Sequence, residues 1–166
     1  MMNTSKIKTD HILILDDILM ATVNRAQEYL QNDLDVDKAE HSGEISRPKE
    51  PIIKDFTTLI NVDGAVKGTF FMSVDQNLAL RLVRKFIYKD IPSSELNLYV
   101  EDTMGEIFNI ILGNTISRLS ETRGQMKLDS PTTIETRTAN LKFVAGNILA
   151  GDIETEEGSL SINVVA

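Results

Sequence analysis

Glu106 and Asn109 stand three residues apart in the segment Glu106-Ile107-Phe108-Asn109-Ile110-Ile111-Leu112-Gly113-Asn114. A carboxylate can pair with a cation, and a carboxamide can donate and accept hydrogen bonds without ionising. On a helix of about 100° per residue, Asn109 lies roughly 60° from Glu106, and Gly113 returns to within about 20° of it. Asp102, Ser117 and Ser120 fall in the same sector, whereas Met104, Phe108, Ile111, Thr115 and Leu119 gather on the opposite side. The spacing therefore places the carboxylate, the amide and a missing side chain on one exposed face. That arrangement suits docking onto another protein.

Glu-x-x-Asn by itself arises readily from composition, and such a pair on a wet helix face is usually just solvated. Two neighbours add to it. Gly113 costs about 1 kcal/mol relative to Ala in a helix interior, so it needs a reason. Ile110, about 40° from Glu106, is an apolar side chain on the polar side. A glycine lets a partner backbone approach closely, and an exposed isoleucine beside it offers a contact. Gly113 could equally relieve crowding against another helix of the same protein.

The elements around this segment must hold it in place. At 166 residues, with 42% apolar and 25% charged side chains, the chain fits one globular domain, 1–166, with a substantial core. Two histidines and no cysteine leave little for a zinc site and nothing for a thiol nucleophile or a disulfide. A formal charge of −8 argues against nucleic-acid binding. Lysines in residues 1–10 precede no apolar h-region, and Asp16-Asp17 breaks the run Ile12-Leu13-Ile14-Leu15. Neither a signal peptide nor a membrane span is expected, and a cytoplasmic location is.

Residues 1–10 read as a flexible N-terminus, followed by a helix from His11 to Gln31 with Ile12, Leu15, Leu19, Val23, Ala26 and Leu30 as its buried stripe. Residues 33–54 read as a charged loop with at most one short strand. Its Arg47, Lys49 and Lys54 could face an anion but more simply are solvated. Phe56–Val62 and Ala65–Val74 read as strands joined by an Asp63-Gly64 turn. Asp75 is placed to cap a helix running to Lys89, and Ser93 or Ser94 to open the long helix that carries Glu106 and ends near Thr122, before Gly124. Strands are expected over Met126–Asp129, Thr133–Arg137, Leu141–Val144, Ile148–Thr155 and Ser159–Val165, with Glu157-Gly158 turning the last pair. The fold expected is an α/β (α+β) sandwich of two related halves, with long helices packed against sheet.

Glu106-x-x-Asn109-x-x-x-Gly113-Asn114 resembles the signature of the CheX-like branch of the CheC/CheX/FliY chemotaxis phosphatases. The strand region from Asp63 to Gly68, the segment Ser130-Pro131-Thr132-Thr133-Ile134 and the closing Glu154–Ile162 agree with that branch, and the resemblance spans about residues 10 to 166. It implies long helices on a curved, mostly antiparallel sheet. CheC- and FliY-like members usually carry two Glu-x-x-Asn sites. Here the first helix offers only Glu28-Tyr29-Leu30-Gln31 as a near match, which favours the single-site branch.

The resemblance further implies hydrolysis of the aspartyl phosphate on a CheY-like response-regulator receiver. The receiver would supply the lysine and the divalent metal, Mg2+, so the phosphatase needs no cofactor of its own. Asn109 would place the attacking water, Glu106 would pair with the receiver lysine, Gly113 would give clearance, and Ile110 and Asn114 would support the contact. A non-catalytic receiver-binding or flagellar-switch-like module on the same fold is the competing reading. The resemblance also implies a homodimer built through sheet pairing. The uncharged last strand, Ser159 to Ala166, could be the edge that pairs or could lie inside the sheet.

Overall fold

The computed structural model describes residues 4–139, 141–142 and 146–166, with side chains from Ile14 onward. The chain opens with a helix, α1 (Thr4–Asn32), which begins earlier than the expected His11 and takes in residues 4–10 that the sequence marks as flexible. Leu15, Leu19, Val23, Ala26 and Leu30 are buried along it at the expected three- and four-residue steps. Ile12, the remaining member of that stripe, lies outside the described side chains. A two-residue strand, β1 (Glu40–His41), follows within the charged loop. Then come β2 (Phe56–Gly64), β3 (Gly68–Val74) and α2 (Gln76–Phe86). A 3₁₀ helix, Ser93–Tyr99, leads directly into α3 (Val100–Arg123), and β4 (Met126–Leu128), β5 (Thr132–Glu135), β6 (Ile148–Thr155) and β7 (Gly158–Val165) complete the chain. The strand expected over Leu141–Val144 falls largely outside the described residues, and Leu141 and Lys142 are not in a strand.

The strands form one antiparallel sheet in the order β1-β6-β7-β3-β2-β4, with β5 also paired to β2. Each half of the chain supplies a long helix and then a hairpin. The two hairpins meet at the centre, where β3 and β7 pair from Thr69↔Val165 to Val74↔Leu160. This is the expected α+β architecture. The helices cover one face: α1 packs on α3, β6 and β7, and α2 packs on α3 and β7.

The structure decides one open alternative and corrects two sequence expectations. The uncharged strand β7 is not an edge, because β6 flanks it on one side and β3 on the other. Leu160, Ile162 and Val164 are buried in the core, and Ser161 and Asn163 are buried too. Two-sided burial, rather than an edge awaiting a partner, accounts for its lack of charge. Secondly, Asp63-Gly64 is not the β2–β3 turn. β2 runs through Gly64, and residues 65–67 reverse the chain before Gly68 pairs with Val62. Gly64 has φ +122°, and a Cβ there would sit 2.4 Å from the Gln125 carbonyl oxygen. The glycine serves the close approach of the chain leaving α3, at Gly64↔Met126. Thirdly, the β6–β7 loop is Glu156-Glu157, since Thr155 already pairs with Gly158.

The cap of α2 is also redistributed, and the helix stops at Phe86 rather than Lys89. Asp75 stands at the N-cap, but its Oδ2 accepts from the Ser159 amide (2.7 Å) and hydroxyl (3.1 Å), tying the helix start to β7. Asp55 Oδ2 instead receives the Gln76 amide at 2.7 Å. The charged loop is a strap rather than a free excursion. Leu34, Val36 and Ala39 are buried, Arg47 pairs with Asp16 at 2.7 Å, and the amide and carbonyl of Ile52 bond the Asn163 carboxamide at 2.8 and 3.1 Å. Asn163→Ala removes both strap bonds at once and should cost about 1–3 kcal/mol of stability. A lowered urea midpoint is the expected result, and an unchanged midpoint contradicts this role for Asn163.

Candidate active site

α3 forms because apolar residues recur along it on a broad stripe, and two acidic residues, Glu101 and Asp102, stand in its first turn, where they complement the helix dipole. Met104, Phe108, Ile111 and Thr115 are buried as their spacing requires, and Leu119 packs partly on the core. Ile107, Leu112 and Ile116 are buried as well, so the inward face is wider than the opposite-face set alone suggests. Gly124 ends the helix at φ +94°, and Arg123 pairs with Asp17 of α1.

Glu106 and Asn109 emerge on the other side, one turn apart and both exposed. Among the described residues neither has a hydrogen-bond or ionic partner. Asn114 is also exposed, but its Nδ2 donates back to the Ile110 carbonyl at 2.7 Å. Of the two amides on this helix, Asn109 is the one whose donor and acceptor have no partner among the described residues. Ile110, expected as an exposed apolar contact, is half-buried and packs against the core. Gly113 is half-buried too, and a Cβ there would meet only Leu128 Cδ1, at 3.9 Å. Its missing side chain thus relieves a crowded helix contact hardly at all.

Beside Glu106 runs a groove whose walls are Glu101, Asp102, Gly105 and Glu106 on α3 and Pro131 and Thr133 on the segment entering β5. Thr133 Oγ1 lies 2.8 Å from Thr58 Oγ1 of β2, which fixes that wall. The grouping of Gly105 with Pro131 and Thr133 is not visible in sequence. The one signal is a second glycine inside a helix, next to Glu106.

The near match on α1 is occupied otherwise. Gln31 Nε2 donates to the Ala39 carbonyl at 2.7 Å and holds the strap, while Glu28 lies 3.6 Å from Arg25. Of the basic loop residues, Arg47 is paired as described and the Lys54 amide bonds Ser73 Oγ at 2.6 Å. No group of three or more His, Asp or Glu among the described residues is arranged to hold a metal ion. No helix among them is long and apolar enough to cross a membrane.

Solved structures with this fold include the chemotaxis protein CheX from Desulfovibrio desulfuricans, with a TM-score of 0.77 and 17% identity over 89% of this chain and 97% of that one. CheX from Vibrio vulnificus has a TM-score of 0.76 and 19% identity over 90% and 98% of the two chains. A chain of the CheX-CheY-BeF3-Mg2+ complex from Borrelia burgdorferi has a TM-score of 0.69 and 20% identity over 87% and 94%. No curated protein matches the chain. At these identities the likeness is one of fold, and it defines the class: a CheX- and CheC-like α+β domain. The family model described as chemotaxis phosphatase CheX matches residues 56–149, more than half the sequence and all of α3, and the chain belongs to that family.

Gly113→Ala places a methyl group in ordinary contact with Leu128 and removes the helix penalty of glycine. It should raise stability by up to about 1 kcal/mol. A higher thermal midpoint is expected. A fall would mean that the fold itself requires Gly113.

Proposed function

We propose that this protein hydrolyses the aspartyl phosphate of a CheY-like receiver, with Asn109 positioning the attacking water and Glu106 pairing with the receiver's active-site lysine. The observation that carries the reading is the pair itself. Two polar side chains one turn apart face outward from a helix whose other face is buried, and neither is bonded within the described protein. Membership of the CheX family supports the reaction class.

An acyl phosphate is already activated, so the phosphatase has only to hold one water in line with phosphorus. The water oxygen forms the new P–O bond while the bond to the receiver aspartate breaks. The aspartate leaves as a carboxylate, and the water's protons end on inorganic phosphate. The Asn109 amide accepts one hydrogen from the water and donates to its surroundings, which fixes the water without taking its proton. Glu106 sets the register through a charge-assisted hydrogen bond. The receiver's divalent cation, Mg2+ in this reading, neutralises charge on the phosphoryl oxygens. Gly113 gives the receiver backbone clearance beside Glu106, with Ile110 and Asn114 at the flank.

Asn109→Ala should lower stimulated phosphate release from a phosphorylated receiver by about 10²-fold while leaving receiver affinity close to wild type. Glu106→Ala should weaken both, since a hydrogen bond to a charged group contributes about 1.5–3 kcal/mol. Receiver binding without any stimulated release by the wild-type protein would instead assign a non-catalytic binding module. A homodimer belongs to the same reading, but at an outer sheet edge, β1 or β4 and β5, because β7 is flanked on both sides. Twice the monomer mass by light scattering at micromolar concentration supports it, and the monomer mass ends it.

A further inference from the structure

Leu98 is 77% exposed and Tyr99 is 39% exposed, immediately before α3. Their neighbours Leu96 and Val100 are buried and already supply the inward contacts of this turn. Single surface leucines need no explanation. These two do not stand alone. The 3₁₀ turn runs straight into α3, with the Val100 amide bonded to the Asn97 carbonyl. Leu98, near the end of the 3₁₀ turn, therefore stands about one helical turn before Glu101 and Asp102 of α3. Glu101, Asp102 and Gly105 line the groove that ends at Glu106.

The groove is open at the helix because Gly105 has no side chain. A Cβ there would come to 3.5 Å from Thr133 Oγ1 and 3.7 Å from Pro131 Cγ, which is ordinary contact, so the fold accommodates an alanine that would narrow the channel. Leu98 stands about 12 Å along the axis from Glu106, at 1.5 Å per residue. A specific interface covers roughly 800 Å² of each partner, far more than the Glu106 and Asn109 side chains can supply. The surface continuous with them on this side is the groove and then the exposed pair.

We propose that Leu98, Tyr99 and the groove between α3 and the Pro131–Thr133 segment are the second half of the receiver-docking surface, with Leu98 as its apolar anchor. This rests on the receiver-phosphatase reading and extends it to the partner's chemistry. The occupant is the phosphorylated receiver, which meets Glu106 with its lysine and lays an adjacent apolar patch with basic flanks against the groove. The charge preference follows from the lining, which carries Glu101, Asp102 and Glu106 and no basic residue. Aromatic and apolar anchors beside a charged rim are the usual composition of a specific contact.

The test is steady-state dephosphorylation of a phosphorylated receiver by the full chain, with KM and kcat measured separately. Leu98→Asp should raise KM about tenfold with kcat within about twofold of wild type. The double variant Glu101→Gln/Asp102→Asn should flatten the rise of KM with salt. Tyr88→Ser alters the other large exposed hydrophobic among the described residues, 95% exposed after α2, and should leave both constants unchanged. An unchanged KM in Leu98→Asp, with release still lost in Asn109→Ala, overturns the docking surface and leaves the phosphatase reading standing. An equal effect of Tyr88→Ser also overturns it, since general surface adhesion would then explain the result. A wild-type protein that neither binds nor dephosphorylates a receiver overturns both.

Discussion

Burial of one face of α3 is the constraint on which the rest of the molecule depends. Ile107, Phe108, Ile111 and Leu112 have essentially no exposure, and α3 packs on α1, α2, β2 and β5. Turning the helix by a single residue would rotate it about 100° and bring Phe108 toward water, forfeiting about 1.5–3 kcal/mol of burial for that side chain alone. The same turn would carry Glu106 toward the core, where an unpaired charge costs several kcal/mol. Among the described residues no side-chain hydrogen bond holds Glu106 or Asn109 in its orientation. Apolar packing behind them does, and a rigid helix is a more accurate platform than a loop.

The two halves share an architecture, a long helix followed by a hairpin, and the hairpins join at β3 and β7. They do not share the polar pair. On α1 the corresponding near match is used structurally, because Gln31 reaches the Ala39 carbonyl and helps fasten the 33–54 strap. That strap continues to the β7 side chain Asn163, so the central strand is closed off on both faces. Any sheet edge open to another chain lies at the periphery, at β1 or at β4 and β5. The acidic loop, which has no evident chemistry in sequence, is explained by this covering role.

How much was legible in the sequence depended on whether a feature has a local period. The α3 stripe follows 3.6-residue spacing, so Met104, Phe108, Ile111 and Thr115 could be assigned inward and Glu106 and Asn109 outward. β6 was readable to its ends, Ile148–Thr155. β7 was readable as a strand but not in its place, because an uncharged run is compatible with either an edge or two-sided burial. Gly64 carried a correct signal, positive φ, attached to the wrong event: the backbone needs it where Gln125 comes close, not where the hairpin turns. Ile110 was placed by angle alone and is half-buried because the inward face of α3 is wider than its strict stripe. The groove beside Glu106 has no sequence signature, since Gly105 meets Pro131 and Thr133 only through the fold.

The central claim is that Asn109 acts as an amide that holds water and not as a base that takes its proton. The most direct test is the single-turnover rate of phosphate loss from a saturating complex with a phosphorylated receiver, comparing wild type with Asn109→Asp. Aspartate has nearly the same shape but cannot donate a hydrogen bond when ionised, and it brings negative charge toward the phosphoryl group. The account predicts a loss of about 10²-fold or more, as for removal of one preorganised polar group. A rate equal to or above wild type would contradict it, because a carboxylate would then be serving as general base.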